Sequence, residues 1–280
     1  MREPAASAQH VINIDPPRGW EALDLRELWE YRELVAFLVW RDVKVRYKRA
    51  ALGIIWAVLQ PLMTMVIFTV VFGRLAGLPS EGVPYPLFTL AALLPWQLFS
   101  GAVNAASNSL VGSGALLSKV YFPRLIVPIA SVAATLVDFV VGLALLLVLM
   151  IWYAHWPAAS IVALPAFVLL ALITALGIGL WTSAMNVRYR DVQYLMPFAM
   201  QVMLLASPVA YSSSIVPTGA VRTLYAMNPL VGIIQGFRWS LLGTAPPGPE
   251  LFVSVAAALV LLVTGLFFFR RMEASFADIV

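Results

Sequence analysis

Two rows of side chains in this sequence combine ring faces with amide and hydroxyl groups at helical spacing. Tyr194, Phe198, Gln201 and Leu205 share a narrow arc of one helix face, to which Ser212 returns. Trp56, Gln60, Thr64, Phe68 and Phe72 follow one another at i+4 steps, winding slowly around a second helix. A sugar suits such rows, because its axial C–H surface stacks on a ring while its hydroxyls exchange hydrogen bonds with the polar groups. Helix packing combined with an interfacial aromatic belt is the other reading of the same residues. Asp138 is the one carboxylate deep inside an apolar run. There it costs about 2.5–3.5 kcal/mol on insertion scales, so it must face protein, water or a hydrogen-bond partner. It is read as a polar anchor between helices rather than as a proton or cation relay, since the interior of the runs offers no second charged group to relay to.

Other chemistry is argued against by what the sequence lacks. There is no Gly-x-x-x-x-Gly-Lys-Ser/Thr loop to cradle nucleotide phosphates. With no Cys, neither thiolate catalysis nor a Cys-based metal site is available, and His10 and His155 are too few and too far apart for a metal. Within the apolar runs no paired carboxylates stand at a catalytic spacing. The chain is therefore expected not to be an enzyme.

The elements that position these rows are membrane helices. The chain has 280 residues, 61% hydrophobic and 11% charged, too apolar for a soluble domain to cover with polar surface. Six runs reach the roughly 20 residues a hydrocarbon core demands: 51–73, 87–110, 126–153, 158–184, 192–212 and 250–269. Pro61 predicts a bend in the first. The stretch 213–248 is broken by Pro217, Gly219, Pro229, Gly232 and Gly236 and carries Arg222 and Arg238, so it predicts a re-entrant pair of short helices on the outer side. The Gly232 and Gly236 spacing would let those helices approach closely.

Charge orients the spans. With both termini inside, 15 of the 18 Lys and Arg residues fall on the cytoplasmic side, leaving Arg74, Arg222 and Arg238 outside. The net charge of +4 reads as contact with anionic lipid headgroups and not with nucleic acid. No apolar run precedes Ala50, so no cleavable signal peptide is expected and the first span serves as its own insertion signal. The N-terminal head divides into a flexible tail over 1–22 and an interface segment over 23–49, ahead of a six-span membrane domain over 50–280. Within the interface segment, Leu25, Leu28, Trp29, Val35, Ala36 and Val39 form one apolar face opposite Arg26, Glu27, Glu30 and Glu33, with a capping box at Asp24 and Glu27. Such a helix lies in the membrane interface or packs on a partner subunit. The basic run Arg41, Lys44, Arg46, Lys48 and Arg49 follows it.

Two inner loops join the spans. In the first, Gly112 and Gly114 break the helix, a short amphipathic turn runs through Ala115, Leu116, Leu117, Ser118, Lys119, Val120 and Tyr121, Phe122 follows, and Pro123 forces a stop before Arg124. The second, 186–191, carries Arg188, Arg190 and Asp191. A short helix in an inner loop is what a membrane subunit needs to receive mechanical work from a soluble motor.

These residues carry a resemblance. RDVKVRYKRAALGIIWAVLQP at 41–61, LLSKVYFPRLIVP at 116–128, NVRYRDVQYLMPF at 186–198, SPVAY at 207–211 and NPLVGIIQGFRW at 228–239 resemble, in order and spacing, the permease of type-2 ABC exporters for polysaccharides. The O-antigen export permeases are nearest, with teichoic-acid and capsule permeases next. The resemblance implies an all-α integral membrane fold with six spans, an N-terminal interface helix over 25–40 and outer re-entrant helices over 215–236. It implies a homodimer around a continuous channel that binds two copies of a separate nucleotide-binding subunit, with ATP and Mg held there and no cofactor on this chain. It further implies a coupling helix over 114–124, a second motor contact over 186–193, and a channel lined by the first and fifth spans, Tyr211 included. The cargo would be a lipid-linked glycan crossing the inner membrane. A small lipid or drug as cargo, or a proton-coupled carrier using Asp138, are the rival readings.

Overall fold

The structure, a computed structural model, describes residues 29–48, 53–117, 119, 122–217 and 219–273. The predicted tail over 1–22, the capping box, Leu25, Leu28, Arg49, Ser118, Val120 and Tyr121 lie outside the described residues. The chain is helical in the order α1 (Arg32–Lys48), α2 (Gly53–Phe68), a π-helical turn (Thr69–Leu75), α3 (Tyr85–Gly112), α4 (Gly114–Leu117), α5 (Ile126–Ala134), α6 (Leu136–Trp152), a 3₁₀ turn (Ala159–Ala163), α7 (Leu164–Arg188), α8 (Val192–Leu205), a 3₁₀ turn (Ser213–Ile215), α9 (Ala220–Ala226), α10 (Pro229–Leu242) and α11 (Glu250–Glu273).

Among the described residues five stretches are long and apolar enough to cross a membrane: Ile55–Leu75, Tyr85–Gly112, Ile126–Trp152, Ala159–Arg188 and Glu250–Glu273. The third is α5 and α6 joined at Thr135, whose hydroxyl turns back onto the Val132 carbonyl at 2.6 Å. The chain is a multi-pass membrane protein. Its central post is α3: the apolar window of that helix is 78% buried, against 11% for the α2 crossing and 17% for α11. So α2 and α11 keep wide faces for lipid or another subunit, while α3 is walled in by α5, α6, α7 and α10.

The predicted run 192–212 is helical over its first two thirds. Its helix, α8, stops at Leu205 after 14 residues, about 21 Å of rise against a hydrocarbon core of about 30 Å. Pro208 is the cause, because it lacks an amide donor and pushes Ser207 out of the helical region. The freed carbonyls are taken up by distant side chains. Asn228 reaches the Ala206 carbonyl at 3.3 Å, Arg238 the Val209 and Tyr211 carbonyls at 3.0 and 3.1 Å, and the Tyr85 hydroxyl the Ala210 carbonyl at 2.5 Å. Non-helical backbone at membrane depth is tolerated when protein satisfies it, and here it does.

Two short helices, α9 and α10, occupy the stretch predicted to re-enter. Helix α10 is core: Leu230, Ile233, Ile234, Phe237 and Leu241 are fully buried, and Gly243, in the left-handed region at φ +68°, caps it. The Gly232 and Gly236 spacing serves a different purpose from the predicted one. A Cβ at Gly232 would meet Ser254 of α11 at 2.8 Å, and one at Gly236 the Phe167 ring of α7 at 2.1 Å, so each glycine admits a separate crossing helix rather than α9.

Backbone contact is closest where α7 meets α11. A Cβ on Gly265 would stand 2.3 Å from the Gly177 carbonyl oxygen, and one on Gly177 would stand 2.7 Å from the backbone of Leu261 and Leu262. Trp181 then stacks on Phe268 at 4.1 Å. Small residues at such a crossing maximise packing where lipid gives no hydrophobic drive. Gly265→Val is expected to cost about 1–3 kcal/mol or more, because rigid backbone must move. Gly112→Ala, with open space around the new methyl, is expected to change stability by no more than about 0.5 kcal/mol. Melting temperatures of the two purified variants check this pair, and equal values would refute the tight crossing.

The interface helix turns a different face to the bundle from the one its pattern predicts. Val35 and Val39 do pack, but Ala36 is exposed, and Leu38 and Leu34 join Phe122, Leu125 and Ile126 in the cluster beneath α1. Trp29, Phe37 and Trp40 stand exposed away from it. The helix also runs on to Lys48, so most of the basic run is helical.

Candidate functional site

The residues predicted to do chemistry divide among three places. On α8, Val192, Met196 and Met200 form the buried stripe, resting on α3 and α7. Opposite them Tyr194 (76% exposed), Phe198 (66%), Gln201 and Leu205 make one continuous open face. Tyr211 lies half-buried beyond its end, its hydroxyl 2.9 Å from that of Tyr225.

The row on α2 is divided. Phe68 packs against the core and meets Phe72 edge to face at 5.2 Å, while Thr64 bonds back to the Gln60 carbonyl at 2.9 Å. Trp56 and Gln60 instead line a cleft of about 430 Å³ between α1, α2, α3 and α6. Its other walls include Gln97, Ser100 and Asn104 of α3, residues that the sequence reading passed over. Their signal was present as polar groups at i, i+3 and i+7 of an otherwise apolar span.

Asp138 sits in the first turn of α6 at the same cleft. It is ion-paired with Arg46 and accepts a hydrogen bond from the Tyr47 hydroxyl. Burial, and then that bond, push the Tyr47 hydroxyl up to about 12, so it remains a donor at any physiological pH. Nearby Asp42 takes Arg41 at 2.8 Å and the Ser131 hydroxyl at 3.3 Å. The Ser131 bond ties α1 to α5, and Arg46 and Tyr47 bring α1 against α6 at Asp138.

The two predicted coupling loops lie at one end of the bundle. The Asn186 amide near the end of α7 donates to the Ser107 carbonyl near the end of α3 at 2.9 Å, and Arg41 of α1 reaches Ser113 at 3.4 Å. The end of α11 arrives there too, with Arg124 donating to the Glu273 carbonyl at 2.6 Å. Arg188, Arg190 and Asp191 are exposed, as are Ala115 and Lys119, and Leu116 is half-buried. Phe122 is corrected: it is buried under α1 and cannot touch a docked subunit. Arg124 is half-buried and gives one guanidinium nitrogen to the end of α11. Helix α4 itself is a single turn, Gly114–Leu117.

A smaller cleft of about 320 Å³ lies beneath α9 and α10, between Glu81, Ser213, Gln235, Arg238 and the 244–248 loop. The Arg222–Glu250 ion pair, at 3.1 Å, closes one side of it. Among the described residues no group of His, Asp or Glu could hold a metal, and the His155 ring is engaged by the Leu242 carbonyl at 3.0 Å.

Comparison with known proteins agrees with this architecture. The family model described as ABC-2 type transporter matches residues 33–242, from α1 to the last turn of α10. The O-antigen export system permease protein RfbA of Myxococcus xanthus is 32% identical over 254 residues, covering 89% of this chain and 96% of the relative. RfbA of Klebsiella pneumoniae is 24% identical over 248 residues, covering 88% and 95%. The polysialic acid transport protein KpsM of Escherichia coli is 25% identical over 245 residues, covering 85% and 93%. An interface helix ahead of the first crossing, two short helices before the last and a match along most of the chain have one reading: the chain belongs to the ABC-2 type transporter family.

Proposed function

We propose that this chain is the membrane permease of an ATP-driven exporter that carries a lipid-linked polysaccharide across the inner membrane. It works as a homodimer with two copies of an ATP-binding subunit, which holds ATP and Mg, and both its termini are cytoplasmic. The observation that carries this reading is the near full-length match to relatives named for O-antigen export and polysialic acid transport. The open face of α8 agrees with it, since a membrane helix that offers Tyr194, Phe198 and Gln201 outward needs a partner more polar than lipid. Closure of the ATP-binding subunits pushes the end of the bundle that carries α4 and the 188–191 loop, and this shifts one protomer against the other. The rings and amides then offer weak, repeated contacts to a sliding polymer, because one tight site would stall it.

Deleting the gene in its own host is expected to remove a surface polysaccharide and leave its lipid-linked precursor inside. Plasmid copies restore it only while the neighbouring ATPase is intact. Restoration with a disabled ATPase would defeat the proposal, and accumulation of a small lipid in place of a polymer would move the cargo to that class.

A further inference from the structure

Helix α3 is the most enclosed of the crossing helices, and its middle turns leave a half-buried polar stripe: Gln97, Ser100, Gly101 and Asn104. A stripe that met lipid would be aliphatic. Amides at that depth demand water, protein or a ligand. The stripe faces the 430 Å³ cleft, a volume within the range of small-molecule sites, about 300–1,000 Å³. Asn104 gives its amide hydrogen to the Ser100 carbonyl at 2.9 Å, which leaves its oxygen as an acceptor. Nothing lies within 4 Å of a Cβ on Gly101, so the floor between the amides is bare. The Trp56 indole and the Gln60 amide stand across from it. A ring face, amides and a hydroxyl around a bare floor are the complement of one sugar. At the mouth, Arg46 adds a cation whose carboxylate partner, Asp138, belongs to the cleft itself. An arriving phosphate competes for that guanidinium with more acceptor oxygens than a carboxylate brings.

We propose that this cleft within the protomer binds a sugar carrying an anionic group, above all a phosphate. The ring lies between Trp56 and the amides of α3, and the anion takes Arg46 away from Asp138. The site rests on the export reading only for the source of its ligand. Asp138 is then an internal stand-in for the anion. This makes a prediction that an architectural ion pair does not share.

Glucose 1-phosphate, glucose and inorganic phosphate are titrated against the purified full-length chain in nanodiscs by saturation-transfer NMR. Glucose 1-phosphate is expected to bind about tenfold more tightly than either fragment. Arg46→Gln abolishes that advantage, whereas Asp138→Asn frees Arg46 and raises glucose 1-phosphate affinity by about three- to tenfold. Gln97→Leu and Asn104→Leu weaken glucose and glucose 1-phosphate together. Equal weakening by Arg46→Gln and Asp138→Asn would overturn the proposal and make the pair a brace for α1. So would inorganic phosphate matching glucose 1-phosphate, or displacement of the probe by a few per cent of phosphatidylglycerol in the nanodisc, because either result assigns Arg46 to a lipid headgroup. A chain that binds the probe as expected yet restores no surface glycan sinks the export reading and leaves the site standing.

Discussion

Arg238→Gln is expected to be the most damaging single substitution in the described chain, lowering stability by more than about 4 kcal/mol. The side chain is 2% exposed. It donates to the carbonyls of Phe88, Val209 and Tyr211 at 3.3, 3.0 and 3.1 Å, and its guanidinium lies 3.5 Å from the centre of the Phe88 ring. Hydrogen bonds to a charged group contribute about 1.5–3 kcal/mol each, and an acceptor stranded in the interior forfeits its solvation as well. Glutamine is too short to reach all three carbonyls. Loss of the guanidinium leaves the turn after α8 without the groups that let it run through the membrane region unpaired with its own helix. Lysine keeps the charge but not the planar fork, so Arg238→Lys should fall between wild type and Arg238→Gln. The yield of monodisperse protein in detergent and its melting temperature measure the series. A glutamine variant as stable as wild type would show that the three bonds are dispensable.

Arg238 also marks where reading the sequence stopped short. As a charge in a broken apolar stretch it signalled that the segment was not a simple span, and this was correct. Its partners lie on α3 and on the turn after α8, far away along the chain, and no periodicity reports such pairings. The same holds for Asp138, whose need for a partner followed from its position but whose partners, Arg46 and Tyr47, depend on how α1 folds back. Long apolar runs were legible because length alone decides whether a helix can cross. The end of α8 was not, because Pro208 was counted inside an apolar run instead of as its stop. On α1 the visible alternation picked out Val35 and Val39 but missed Leu38, since most of that helix's large apolar residues are exposed and the pattern has more than one apolar face. Phe122 beside a basic loop looked like a surface residue and proved to be the floor under α1. Sequence patterning recovered the membrane architecture and the α8 face, while the cleft of α3 emerged only when four helices were brought together.

The α8 face supports the second large effect, and it is expected on transport and not on folding. Tyr194→Ala combined with Phe198→Ala removes two rings that contact little within the protomer, so the protein's stability should change by no more than about 0.5 kcal/mol. Met196→Ala, on the buried stripe of the same helix, should cost about 2–5 kcal/mol and so separates the two faces. For the double variant, surface polysaccharide is expected to fall about tenfold, which corresponds to a barrier only about 1.4 kcal/mol higher. That is a small amount for two lost stacking contacts, each of which can contribute about 1–3 kcal/mol where a ring meets a flat ligand face. Phe198→Trp should retain export, because it keeps a ring face at the position, while Phe198→Leu keeps the hydrophobicity yet lowers export, by less than the double variant does. Surface glycan is measured by whole-cell labelling, beside the ATPase rate and the oligomeric mass of the purified complex. Full export from the double variant would take α8 off the translocation path. A drop in export accompanied by dissociation into protomers would reassign the face to the contact between subunits. The chemistry favours the tenfold fall without dissociation, because a surface built only to join two subunits in lipid has no use for Gln201 between Phe198 and Leu205, whereas a polymer of hydroxyls and ring faces has a use for the amide beside the ring.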